Sequence, residues 1–139
     1  MNGRWRALSR IVAASMLLTI SLGGSASAAE QLEIAVIGGN GMFGQRIVRE
    51  ALDRGHRVTV IVRDPSRVDA RHERLQLRQG DVLDEARISR LIAGQDVVVS
   101  AVGSARAKTP DPSLYRRAAE SLVGVLRGLG GKAARLIVV

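Results

Sequence analysis

The chain has 139 residues, 46% of them apolar and 24% charged, the make-up of one globular domain. It has no cysteine and two histidines, which excludes disulfides, thiol catalysis, thiolate metal sites and a histidine-rich metal centre. The formal charge of +8 is spread without long like-charge blocks, and one Trp, one Tyr and one Phe supply no platform for stacking bases. The expectation is therefore no nucleic-acid partner, and a basic surface suited to an anionic ligand such as a phosphorylated cofactor.

Residues 1–28 read as a secretory signal peptide rather than as part of the fold. Arg4, Arg6 and Arg10 form a positive start, Ile11 to Leu22 is uncharged and mostly apolar, and Gly23-Gly24 breaks it. That core is short for a membrane span. Ala26-Ser27-Ala28 offers small residues for cleavage after Ala28, and cleavage after Ala29 fits nearly as well. The expected location is then outside the cytoplasm, with no stable membrane span after cleavage. The alternatives are a start placed too far upstream, which would leave the domain cytoplasmic, or an uncleaved anchor. Cleavage removes three arginines and no acid, leaving a chain of net charge +5.

Residues 30–139 read as alternating strands and helices. Leu32–Ile37 is a short apolar run, a buried strand. It ends in four glycines within seven positions, Gly38, Gly39, Gly41 and Gly44. A helix over Met42 to Arg54 follows, with Phe43, Ile47, Val48, Ala51 and Leu52 on one face and Gly55 as its left-handed cap. Val58–Val62 is a continuous apolar strand of the kind covered on both faces. Pro65 marks a turn or a short helix. Leu75–Gln79 is a third strand. Asp84 caps a helix over Glu85–Ala93 that buries Ile88, Leu91 and Ile92 before Gly94. Val97–Ala101 is a fourth strand. Asp111-Pro112 starts a helix to about Leu129, with Leu114, Ala118, Leu122, Val125 and Leu129 along its apolar stripe. Leu136–Val139 opens a fifth strand. Alternation with short links predicts an α/β, doubly wound parallel sheet of order 3-2-1-4-5, its ligand crevice between strands 1 and 4.

The glycines join a strand directly to a helix. That context makes an otherwise weak G-x-G-x-x-G pattern informative. Gly38, Gly39, Asn40, Gly41, Met42, Phe43 and Gly44 form the candidate loop for a dinucleotide diphosphate, laid on bare backbone at a helix N-terminus. Gly38 allows the turn, Gly41 the approach of the diphosphate, and Gly44 close packing of the helix. At the end of strand 2, an acid would suit the ribose hydroxyl of NAD. Arg63 stands there with Arg67 four residues on, which favours the 2′-phosphate of NADP. Asp64 would suit NAD if the register shifted by one. Asp81 after strand 3 is placed to accept from an adenine amino group with Val82 against the ring, or else it is a turn aspartate. Ala101, Val102 and Gly103 are small enough to let a cofactor pass the end of strand 4.

No catalytic set is legible. Tyr115 is the only tyrosine, position 119 is Ala, and so there is no Tyr-x-x-x-Lys pair. Tyr115 reads as a packing or surface residue, Lys108 and Lys132 as loop residues, and His56 as a solvated turn residue. Ser100 has no evident His–Asp partnership.

Ile34 to Gly44, Gly55 to Arg67, Gly80-Asp81-Val82 and Asp96 to Gly103 together resemble the atypical short-chain dehydrogenase/reductase superfamily. The nearest branch is the NAD(P)H-binding, NmrA-like group that includes flavin and biliverdin reductases. The resemblance runs in order from Leu32 to Val139. It implies a Rossmann domain, an NADP preference carried by Arg63 and Arg67 (NAD remaining open), and adenine contacts at Asp81 and Val82. Asn40 departs from the Thr or Ala of many relatives. Relatives also continue past the fifth strand into substrate-binding segments that carry their Tyr and Lys. The domain is therefore expected to be incomplete as an enzyme. Three functions follow: the cofactor domain of an oxidoreductase or isomerase acting on a small molecule, a non-catalytic dinucleotide sensor or partner-binding module, or an inactive remnant.

Overall fold

The computed structural model describes residues 30–103, 111–130 and 134–139. The expected signal peptide, Lys108 and Lys132 lie outside the described residues. Five strands, β1 (Glu33–Ile37), β2 (Arg57–Val62), β3 (Leu75–Gln79), β4 (Val97–Ser100) and β5 (Arg135–Val138), form one sheet of order β3-β2-β1-β4-β5. Every neighbouring pair is parallel. The expected order is therefore the observed one, with strand ends shifted by a residue.

Side chains on a strand alternate between its faces, and here both faces are covered. Ile34, Val36, Val58, Val60, Val97 and Val99 point to one side. They pack there with Val48, Ala51 and Leu52 of α1 (Met42–Asp53). Ala35, Ile37, Ile61 and Val98 point to the other. They meet Ile88 and Ile92 of α2 (Glu85–Ile92), and Ala118, Leu122 and Val125 of α3 (Ser113–Gly128). This explains why β1, β2 and β4 read as largely apolar runs, while the edge strand β3, Leu75-Gln-Leu-Arg-Gln79, alternates with polar residues.

The helices α1 and α2 stop at the glycines that follow them in sequence. Gly55 and Gly94 adopt left-handed conformations at φ +87° and +79°. Asp84 accepts from the Arg87 backbone N–H at 3.0 Å, as a capping carboxylate should. At the start of α3, Asp111 accepts from both the backbone N–H and the hydroxyl of Ser113, at 2.9 and 2.6 Å. Pro112 has helical dihedrals but precedes the first helical residue, so α3 begins one position later than expected.

Three expectations about packing change. Phe43 lies in the first turn of α1, and its ring is 56% exposed, while the buried residues of that helix are Gly44, Val48, Ala51 and Leu52. Leu129 falls just beyond α3 and is exposed, because the stripe outruns the helix. His56 is half-buried, and its Nδ1 accepts from the Leu32 backbone N–H at 3.2 Å, tying the α1–β2 turn to the entry of β1.

Hydrogen bonds from the Ser113 hydroxyl and backbone hold the Asp111 carboxyl below the usual carboxylate range. A group lowered in this way stabilises the fold above its unfolded titration range, and that contribution is lost as pH falls through the folded value. Asp111→Ala should lower the melting temperature at neutral pH. The gap from the parent should close on acidification, which thermal melts across the acid range would read.

Candidate functional site

Where the strand order reverses, β1 and β4 end side by side, Ile37 opposite Ser100. Beyond β1 the chain turns at Gly38, φ +82°, whose N–H donates to Ile61 O at 3.0 Å. A Cβ on Gly38 would sit 2.6 Å from Ala101 O, and one on Gly39 2.7 Å from Val60 Cγ1. A Cβ on Gly44 would strike Gly38 O and come within 2.7 Å of Gly39 Cα. The chain's own packing thus requires glycine at three of the four positions. Gly41 differs: its φ is −75°, and its nearest foreign atom would be Gly38 O at 3.3 Å, which a shift of a few tenths of an ångström relieves.

The N-terminus of α1 has no side-chain cap and no acid in its first turn. In α2 and α3, by contrast, Asp84 and Asp111 accept from first-turn N–H groups. First-turn N–H groups lack partners inside a helix, so α1 presents uncompensated donors and the positive end of its dipole. Around them, Gly41 is half-buried, and Met42 and Phe43 are exposed. Asn40 is half-buried, and its carbonyl accepts from Gln45 Nε2 at 3.0 Å. Bare backbone, a missing cap and absent acids suit a diphosphate.

At the end of β2, Arg63 is exposed and its carbonyl accepts from Gln79 Nε2 at 3.1 Å. The Asp64 carboxylate takes the hydroxyl and the backbone N–H of Ser66, at 2.6 and 3.1 Å, as the cap of a short 3-10 turn, Pro65–Arg67. The Ser66 hydroxyl, then its backbone N–H, hold that carboxyl below the usual range. Asp64 is thus engaged with its own turn. That turn also separates the two arginines. Arg67 borders a cleft of about 450 Å³ between α1 and residues 68–72, shared with Gly39, Gln45 and the buried Val68. Arg63 borders a second, more open cleft of about 390 Å³ with Gln79, Gly80, Asp81 and Arg87. The structure does not bring Arg63 and Arg67 into one cleft.

Asp81 is exposed, and its Oδ1 accepts from the Leu83 backbone N–H at 2.9 Å, so it makes a turn while bordering the second cleft. Val82 is buried in the core on the α2–α3 side. Its carbonyl accepts from the buried Ser121 hydroxyl at 2.7 Å, a tie between α3 and the β3 exit that the apolar pattern of α3 conceals. Ala101 and Val102 are half-buried and Gly103 exposed, and a Cβ on Gly103 would lie 3.6 Å from the Tyr115 hydroxyl. Arg87 carries no signal in sequence beyond a charge in the first turn of a helix. Among the described residues, no group of three His, Cys, Asp or Glu is placed to hold a metal. Nor, among the described residues, is any helix long and apolar enough to cross a membrane.

A three-layer domain with this strand order and a glycine loop entering an uncapped helix is a dinucleotide-binding Rossmann domain. The model of a family described as NAD(P)H-binding matches residues 38–139. The chain belongs to that NAD(P)H-binding family, in the atypical short-chain dehydrogenase/reductase, NmrA-like group. It is 33% identical over 86 residues to the isoflavone reductase homolog IRL of Zea mays, which covers 55% of this chain and 28% of that one. A crystal structure of a Burkholderia pseudomallei protein described as exported superposes with TM-score 0.63 at 38% identity, covering 78% of this chain and 47% of the other. A Streptococcus pneumoniae protein described as an NADH-flavin reductase gives TM-score 0.62 at 34% identity, covering 78% and 46%. The chain thus spans about half the length of these solved structures, and less of the maize relative.

Proposed function

We propose that this chain is the cofactor-binding part of an NADP-preferring oxidoreductase or isomerase that acts on a small-molecule substrate. The observation that carries this is the loop from Gly38 to Gly44. Its neighbours fix three glycines, while Gly41 and the uncapped α1 N-terminus are left for an anion. In this reading the diphosphate lies on that loop, beside Asn40, Met42 and Phe43. The adenosine end turns toward Arg63, Asp81 and Val82, with Arg67 on the far side of the 3-10 turn. Ala101, Val102 and Gly103 form the wall along which the rest of the cofactor runs. When bound, the nicotinamide supplies hydride chemistry with an acceptor such as a carbonyl or flavin. The residues described above bind and orient it.

NADP is preferred over NAD because Arg63 occupies the position where an acid would bind the free ribose hydroxyls, and Asp64 is spent on Ser66. Titration of the full chain with NADPH and NADH tests this. The parent should bind NADPH more tightly, and Arg63→Ala should weaken NADPH by roughly ten- to a hundred-fold, the worth of a charge-assisted hydrogen bond. NADH affinity should change by less than about twofold, because it lacks the phosphate. Equal losses for both would reject a 2′-phosphate role for Arg63, and no binding of either by the parent would reject the cofactor reading.

A sensor that binds the dinucleotide without turning it over is the second reading. Binding without NADPH oxidation in the presence of flavin or quinone acceptors would support it. Export is proposed from Arg4, Arg6 and Arg10, the apolar run to Leu22 and the small residues ending at Ala28. The Burkholderia relative described as exported is in keeping with this. Fractionation with a C-terminal tag should find a shortened chain outside the cytoplasm; a full-length cytoplasmic product would reject export.

A further inference from the structure

The second cleft places Arg63 from the end of β2 opposite a residue that arrives from another crossover, Arg87 of α2. Arg87 sits in the first turn of its helix, where a cation opposes the helix dipole, so helix stability does not account for it. Its Nε donates to Gln79 O at 2.8 Å, at the last residue of β3. The Gln79 side chain in turn donates to Arg63 O at 3.1 Å. Gln79 therefore touches both residues, holding the Arg87 side chain through its carbonyl and the Arg63 backbone through its amide. The Nε–H is one of five guanidinium donors, so the remaining edge is left for a ligand in the cleft. The cleft also holds the Asp81 carboxylate, which a single arginine would only neutralise. With two, the site is net cationic and suits a phosphate.

We propose that Arg87, together with Arg63, grips a phosphate carried on the adenosine ribose, and that Arg87 rather than Arg67 is the second cation that sets cofactor preference. The proposal rests on the cofactor reading above and deepens it. Arg67 is displaced from this role because it borders the other cleft, beside α1.

The test uses the full chain and two fragments that lack the nicotinamide, 2′,5′-ADP and 5′-AMP, each titrated by calorimetry. The parent should prefer 2′,5′-ADP. Arg87→Met should weaken 2′,5′-ADP by about tenfold and leave 5′-AMP within about twofold, in line with the loss of one charged contact. Arg87→Lys should recover part of the loss, and Arg67→Met should cost less than Arg87→Met. A parent that prefers 2′,5′-ADP combined with an Arg87→Met variant that keeps the same preference overturns this proposal alone. So does a larger loss from Arg67→Met, or equal losses of both fragments in Arg87→Met. A parent with no preference between the fragments overturns the NADP reading together with it.

Discussion

Gly44→Ala should destabilise the fold by about 3 kcal/mol, toward the upper end for overpacking, and lower the melting temperature by roughly 12–20 °C. The new methyl would strike Gly38 O and lie 2.7 Å from Gly39 Cα and 3.0 Å from Gly38 C. All three are backbone atoms, so no side chain can rotate away. Relief requires either lifting α1 from the sheet or moving the turn. The turn is itself pinned by the bond from Gly38 N to Ile61 O, and Ala101 O leaves no room for a side chain on Gly38. Lifting α1 would loosen Val48, Ala51 and Leu52 from the core. Gly55→Ala is the matched control. Gly55 has φ +87° but nothing within 4 Å of a built Cβ, so the change costs only the left-handed conformation, about 1 kcal/mol. Thermal melts of both variants would show the gap. A Gly44→Ala protein as stable as Gly55→Ala would mean that α1 does not pack on the turn as described.

The centre of the sheet was legible because β1, β2 and β4 are covered on both faces. Val58–Val62 and Val97–Val99 are unbroken β-branched runs, and such runs alternating with capped helices leave few arrangements open. The helix-capping aspartates were legible for a local reason too: Asp84 and Asp111 each accept from a backbone N–H two or three residues on, whereas Asp64, read only as a candidate ribose contact, turned out to cap its own turn. Periodicity does not say where an element runs out of partners. Phe43 and Leu129 fit their helical stripes and are exposed, one in the first turn of α1 and one just beyond the end of α3. The site divided along the same line. The glycine loop is contiguous in sequence and was read directly. The cation set around the adenosine end depends on which side of a three-residue turn Arg67 emerges, and on a helix from a different crossover bringing Arg87 beside Arg63. Neither is encoded in spacing, and a lone arginine on a helix reads as a solvated charge.

Gly41→Val should separate binding from folding. At φ −75°, Gly41 uses a conformation open to any residue, and its closest foreign contact, Gly38 O at 3.3 Å, can yield slightly. The expected loss of stability is about 1 kcal/mol, well below that of Gly44→Ala. The branched side chain would instead fill the approach to the first-turn N–H groups of α1, where the cofactor reading places the diphosphate. Affinity for NADPH and for NADH should therefore fall together by about a hundredfold, equivalent to roughly 2.7 kcal/mol. The equality distinguishes this change from Arg63→Ala, which should act on NADPH alone. The diphosphate is common to both cofactors, whereas only one carries the ribose phosphate. Calorimetric titrations paired with thermal melts would read both quantities on one preparation. If Gly41→Val bound NADPH as tightly as the parent, the loop would be a structural turn only, and the cofactor's diphosphate would have to lie elsewhere.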